Sequence, residues 1–168
     1  MLNAFLKVYG GNMKKLVLAG THLGAVLFGF ALGIYLLPIL IEPESPDIAA
    51  VEAKQTSGPL FEARFDRDRE DSDLLHWGEG VIKVFEDTIV FEGEMAPGPD
   101  YRLYLTPEYV ETEADFWRIK DQSTQVGSIK TFDGFVLENV SAINTVEFNS
   151  VIVWCERFSQ FITSAKLR

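Results

Sequence analysis

After residue 59 the chain offers one histidine, one methionine and one cysteine: His76, Met95 and Cys155. A structural zinc site takes about four nitrogen or sulfur ligands, so this inventory excludes one. Haem takes only one or two axial ligands, usually from these three residue types, so His76, Met95 and Cys155 stand as a candidate ligand set for haem. The covalent attachment pattern C-x-x-C-H is absent. A single cysteine also excludes any intrachain disulfide. Cys155 lies in Val151-Ile152-Val153-Trp154-Cys155-Glu156-Arg157-Phe158, an apolar strand running into charge. Two readings stand there. The thiol is a buried small hydrophobe, or a redox-active group whose pKa is lowered by Arg157, two residues along on the same face.

Other constellations are weaker. Asp66-Arg67-Asp68-Arg69-Glu70-Asp71-Ser72-Asp73 spaces carboxylates as calcium loops do. Its arginines neutralise it, and the turn glycine of an EF-hand loop is missing, so it reads as a solvated loop. No G-x-S-x-G nucleophile elbow is present, and a Cys155–His76 dyad has no third residue to orient it. No residue is assigned as catalytic, and the chain does not read as a stand-alone enzyme. Asn139-Val140-Ser141 fits a glycosylation sequon, a short pattern that is frequent by chance.

The elements that must position these groups follow from charge and hydropathy. The 168 residues carry 25 acidic and 15 basic side chains, a net charge of −10, which argues against nucleic acid as a partner. Every acid lies at or after Glu42, whereas the preceding residues hold only Lys7, Lys14 and Lys15 as charges. Leu16 to Ile41 carries no formal charge and is long enough to span a bilayer. It far exceeds the roughly 7–15-residue apolar core of a cleaved signal peptide. Lysines before it and acids after it predict a cytoplasmic N-terminus and an extracytoplasmic C-terminal domain. Gly20/Gly24 and Gly29/Gly33 are small-xxx-small pairs. His22, Ala25, Gly29 and Gly33 form a stripe on which a second helix could pack, with His22 as a hydrogen-bonding group.

The expected organisation is a cytoplasmic segment over 1–15, a transmembrane helix over 16–41, an acidic Pro-containing spacer over 42–59 and an extracytoplasmic domain over 60–168. The last reads as all-β, an antiparallel sandwich or barrel-like domain. Strands are predicted at Leu60–Phe65, Gly80–Phe85, Thr88–Gly93, Tyr101–Thr106, Val126–Phe132, Gly134–Val140, Val146–Cys155 and Phe161–Leu167. Glu86-Asp87 and Asp133-Gly134 read as hairpin turns. Gly98-Pro99-Asp100 reads as a structural turn aiming the Tyr101–Thr106 strand, and a helical turn is expected near Glu113–Trp117.

Four blocks occur in order: His76-Trp77-Gly78-Glu79-Gly80-Val81, Gly98-Pro99-Asp100-Tyr101-Arg102-Leu103-Tyr104-Leu105, Val151 to Phe158 with its Trp-Cys pair, and Ala165-Lys166-Leu167. Together they resemble the electron-transfer DM-thirteen domain family, in its membrane-anchored bacterial form, over about Leu60 to Leu167. The resemblance implies a β-rich extracytoplasmic domain with a redox role centred on the characteristic cysteine, as a free thiol or as ligand to a group such as haem. By position the role falls on Cys155, with His76 and Gly78 in the H-x-G block. Unlike the animal members, this chain has no DOMON or cytochrome module, so an electron partner would be a separate protein. The expected setting is a bacterial inner membrane, single-pass, with the domain in the periplasm. The expected partners are the bilayer and another membrane or electron-transfer protein. Two alternatives stand: a non-catalytic accessory subunit of an inner-membrane complex, and a ligand-recognition sandwich.

Overall fold

The computed structural model describes residues 2–140, 144 and 147–168, with side chains from residue 12 onward. The chain divides into two compact units, Met1–Leu37 and Pro38–Arg168.

The first unit is helical. Helix α1 (Leu2–Leu40) contains the stretch Asn12–Leu40, long and apolar enough to cross a membrane. Within it, the Thr21 hydroxyl donates to the Leu18 carbonyl at 2.9 Å, and His22 Nδ1 lies 2.8 Å from the same oxygen. Both side chains thus turn back on the helix backbone. Gly20, Gly24, Gly29 and Gly33 all border open space, where an added Cβ would meet nothing within 4 Å.

Among its described residues the second unit holds eight strands in two antiparallel sheets. One has the order β1 (Phe61–Phe65), β2 (Gly78–Val84), β3 (Thr88–Met95), β6 (Gly134–Glu138). The other has the order β5 (Thr124–Ile129), β4 (Tyr101–Thr106), β7 (Ser150–Cys155), β8 (Gln160–Lys166). Edge strand β1 lies by β8 and edge strand β6 by β5, so the sandwich is nearly closed on both sides. Alternation places Tyr101, Leu103 and Leu105 of β4 in the core between the sheets, facing Phe65, Ile82, Val84, Ile89 and Phe91.

Strand β7 is buried at every position. Val151, Val153 and Cys155 enter the inter-sheet core, while Ile152 and Trp154 point to the opposite face. That face is covered by helix α3 (Glu113–Ile119), which lays Phe116 and Ile119 on Trp154, Tyr104 and Phe161. A strand covered on both faces needs a continuous apolar run, which is what Val151–Cys155 supplies. Thr112 caps α3 by accepting from the Asp115 N–H at 3.1 Å, and Glu113 and Asp115 favour the positive end of the helix. A short 3₁₀ turn, Lys120–Gln122, continues it.

Two sequence expectations change. The Asp133-Gly134 turn does not close a hairpin: β5 and β6 belong to different sheets, and residues 130–133 carry the chain across the sandwich. The connector, expected as a spacer, is held against the domain. The Phe132 N–H donates to the Glu42 carboxylate at 2.7 Å, and the Ser45 hydroxyl donates to Asp133. A short helix, α2 (Ile48–Glu52), places Glu52 within 2.7 and 2.9 Å of the Lys83 ammonium. The Glu86-Asp87 turn does join β2 to β3, closed by Phe85 N–H to the Thr88 carbonyl at 2.8 Å. Strand β7 begins at Ser150, and the earlier start expected at Val146 falls outside the described residues, as does Ser141 of the sequon.

Candidate functional site

Cys155 ends β7 with its side chain in the inter-sheet core, only 2 % exposed. Its cross-strand partner is Tyr101, which opens β4. The Tyr101 ring meets Phe132 edge-on, with centroids 5.9 Å apart. Gly98 packs on that ring so closely that a Cβ would lie 2.3–2.4 Å from its atoms, which only glycine permits. The Glu156 N–H donates to the Asp100 carbonyl at 2.9 Å, and the Asp100 carboxylate pairs with Arg102 at 2.7 Å. The Gly98-Pro99-Asp100 turn is thereby fixed over the end of the β4–β7 pair.

Burial pushes the Cys155 thiol above its ordinary pKa. Backbone N–H groups of Phe158, Arg157 and Asp100 pull the other way, and the Asp100 charge adds to the upward shift. The thiol therefore keeps its proton at neutral pH. Arg157 meets the sulfur through its backbone, and the lowered pKa expected from its guanidinium is replaced by a raised one.

Met95 occupies the same core at 3 % exposure, and its N–H donates to the Phe132 carbonyl at 2.8 Å. His76 is held elsewhere. Asp73 accepts from the N–H groups of Leu75 and His76 at 2.7 and 2.8 Å and binds His76 Nδ1 at 3.0 Å. Burial works against the Asp73 carboxylate, but these hydrogen bonds hold it below its ordinary pKa. Arg67 lies 3.5 Å over the Trp77 ring. Gly78 faces Thr163, whose methyl would be 2.6 Å from an added Cβ, so glycine lets β2 approach β8. The register pairs Gly78 with Met95, Tyr101 with Cys155 and Cys155 with Gln160. The blocks around Gly78, the Gly98-Pro99-Asp100 turn and Cys155 thus meet at one end of the sandwich, whereas Ala165 and Lys166 pair with Val151 and Ser150 at the other.

Haem held by these donors does not fit this packing. Met95 and Cys155 are sealed among core side chains, and His76 turns to Asp73. A groove of about 340 Å³ at this end is lined by Pro38, Ile41, Gly98, Pro99 and Phe132 among others, and by none of the three donors. Among the described residues no cluster of three or more His, Cys, Asp or Glu could hold a metal ion.

The family profile described as "Electron transfer DM13" matches residues 70–167, more than half of the chain. The chain belongs to that family. No curated protein and no solved structure matches it. The DM13 region takes in His76, Met95, the Gly98-Pro99-Asp100 turn and Cys155, together with strands β2 to β8. It makes the β domain a redox or electron-transfer module.

The DM13 domain also carries a polar network that the donor inventory missed, on the far side of β7 from the thiol. The Tyr104 hydroxyl donates to Glu156 Oε1 and lies 3.0 Å from the Gln125 side-chain amide. Lys120 Nζ donates to Glu156 Oε2 at 2.8 Å. The ammonium stands 4.9–5.8 Å from the rings of Trp117, Trp154, Tyr104 and Phe116. Burial, then the hydrogen bond to Glu156, raise the Tyr104 pKa well above its ordinary value. Burial opposes ionisation of Glu156, yet the bonds from Lys120 and Tyr104 leave its pKa lowered. The signal was in the sequence: Tyr104 alternates against the core positions Leu103 and Leu105, and Trp154 and Glu156 flank Cys155.

Proposed function

We propose that this DM13 protein is a membrane-anchored electron-transfer module whose thiol, Cys155, is the redox centre. Helix α1 anchors it, with the N-terminus on the cytoplasmic side and the β domain in the periplasm. The uncharged run from Leu16 to Ile41, the lysines Lys14 and Lys15 before it and the acids from Glu42 onward support this placement. The observation that carries the redox reading is the position of Cys155 inside the DM13 match, where Tyr101, Gly98 and Asp100 close over it. Because burial keeps the proton on sulfur, one-electron oxidation breaks the S–H bond, leaves a thiyl radical and passes the proton to water. The electron goes to a separate redox protein.

Voltammetry of the full chain in detergent tests this reading. A reversible couple in the wild type that is lost in Cys155→Ser supports it. The same couple in both proteins, or none in either, overturns it.

A second reading has one observation of its own. The Gly20, Gly24, Gly29 and Gly33 positions of α1 are uncovered, as an accessory subunit that docks its helix into a membrane complex would require. Replacing Gly29 and Gly33 with Ile would then release co-purifying partners, and unchanged co-purification counts against it.

A further inference from the structure

Tyr104 is 7 % exposed, and its phenolic proton points at a carboxylate. Its ring contacts Phe116 at 5.3 Å between centroids, Phe116 contacts Trp154 at 4.8 Å, and Trp154 contacts Trp117 at 5.6 Å. Trp117 is 53 % exposed, so this row of rings runs from a sealed phenol to solvent. We propose that Tyr104 is a redox-active tyrosine, with Glu156 as its proton acceptor and the Phe116–Trp154–Trp117 row as its electron path to the surface. The proposal rests on the electron-transfer reading of the domain and adds a second redox group, on the opposite face of β7 from the thiol.

The step balances as follows. A one-electron oxidant takes an electron at Trp117 and is reduced. Tyr104 fills the resulting hole along the ring row. Its O–H bond breaks and a new O–H bond forms on Glu156 Oε1. A neutral tyrosyl radical and a protonated Glu156 result, and reversal restores both. Lys120 remains on Oε2 and holds the carboxylate in place.

The hole settles on the phenol for a physical reason. Among the described residues the Trp154 Nε1–H is buried and has no acceptor, so an oxidised Trp154 keeps its proton and its positive charge. That charge would lie near the Lys120 ammonium, which is 5.4 Å from the ring. Tyr104 has a base in contact and ends neutral. Tyr109 provides the internal control. It too donates to a carboxylate, Glu111, yet among the described residues it has no ring–ring contact.

The test is flash oxidation of the full chain in detergent by photogenerated tris(bipyridine)ruthenium(III), with the radical identified by electron paramagnetic resonance and optical absorption. The wild type is expected to give a tyrosyl radical. Tyr104→Phe removes it and leaves a tryptophan radical. Glu156→Gln, which keeps the shape but weakens the base, slows its formation roughly tenfold or more. Trp117→Phe lowers the yield. Tyr109→Phe and Cys155→Ser keep the signal, so failure of the thiol couple and failure of the tyrosine are read separately. A tyrosyl signal that survives Tyr104→Phe, or an unchanged rate in Glu156→Gln, overturns the proposal.

Discussion

Strand β7 presents two unlike faces. Inward, Cys155 lies among apolar side chains, and burial holds its proton in place. Outward, Trp154 lies under α3 beside a charged network in which Tyr104, Glu156 and Lys120 satisfy one another. Both faces carry a group that can lose an electron. They differ in where the proton goes, since the tyrosine has a carboxylate in contact and the thiol is met by backbone N–H donors. On the proposed reading, burial alone does not define a redox site, because the groups that take up or release protons beside it matter as much.

The largest effect expected on stability belongs to the outer face. Trp154→Ala removes a fully buried indole beneath α3 and should cost about 3–5 kcal/mol. Denaturant titration followed by circular dichroism measures it, and a loss under about 1 kcal/mol would mean that α3 does not cover this face. The inner face should respond less. Cys155→Ser places a hydroxyl in apolar surroundings and should cost about 1–3 kcal/mol. A neutral or stabilising result would show that the thiol is not sealed in the core.

Next comes pH. Glu156 has a lower pKa in the folded chain than its ordinary 4.5, so the folded state binds fewer protons there. Its contribution is therefore full above that ordinary value and is lost as pH falls through the folded one. The stability gap between wild type and Glu156→Gln should shrink in acid, and a pH-independent gap would remove the charged network from the comparison. The smallest effect belongs to the connector. Glu52→Ala breaks a partly exposed pair with Lys83 and should cost no more than about 1 kcal/mol. A larger loss would make α2 an integral part of the sandwich.

Much of this fold was legible because pleat and burial leave a period of two in the sequence. The Tyr101–Thr106 alternation, the Glu86-Asp87 turn and the apolar run of β7 all found their places in the two sheets. Asp133-Gly134 misled, because a turn dipeptide specifies a local reversal and says nothing about which sheet the next strand joins. The connector misled in the opposite sense. Its acids are scattered polar residues in sequence, and only the fold brings Glu42 to the Phe132 N–H and Glu52 to Lys83. At the site, a search by ligand type singles out His76, Met95 and Cys155 but overlooks Tyr104 and Glu156. Phenol and carboxylate are common residues, and they gain chemical meaning only when a bulky aromatic lid brings them into contact.

The most direct test of the central claim is the pH dependence of the Cys155 couple in the full chain. A thiol that keeps its proton until it is oxidised loses one proton per electron. The midpoint potential of the wild type should then fall by about 59 mV per pH unit across neutral pH, and the couple should be absent from Cys155→Ser. A midpoint independent of pH, or a couple that persists without the thiol, would contradict the account.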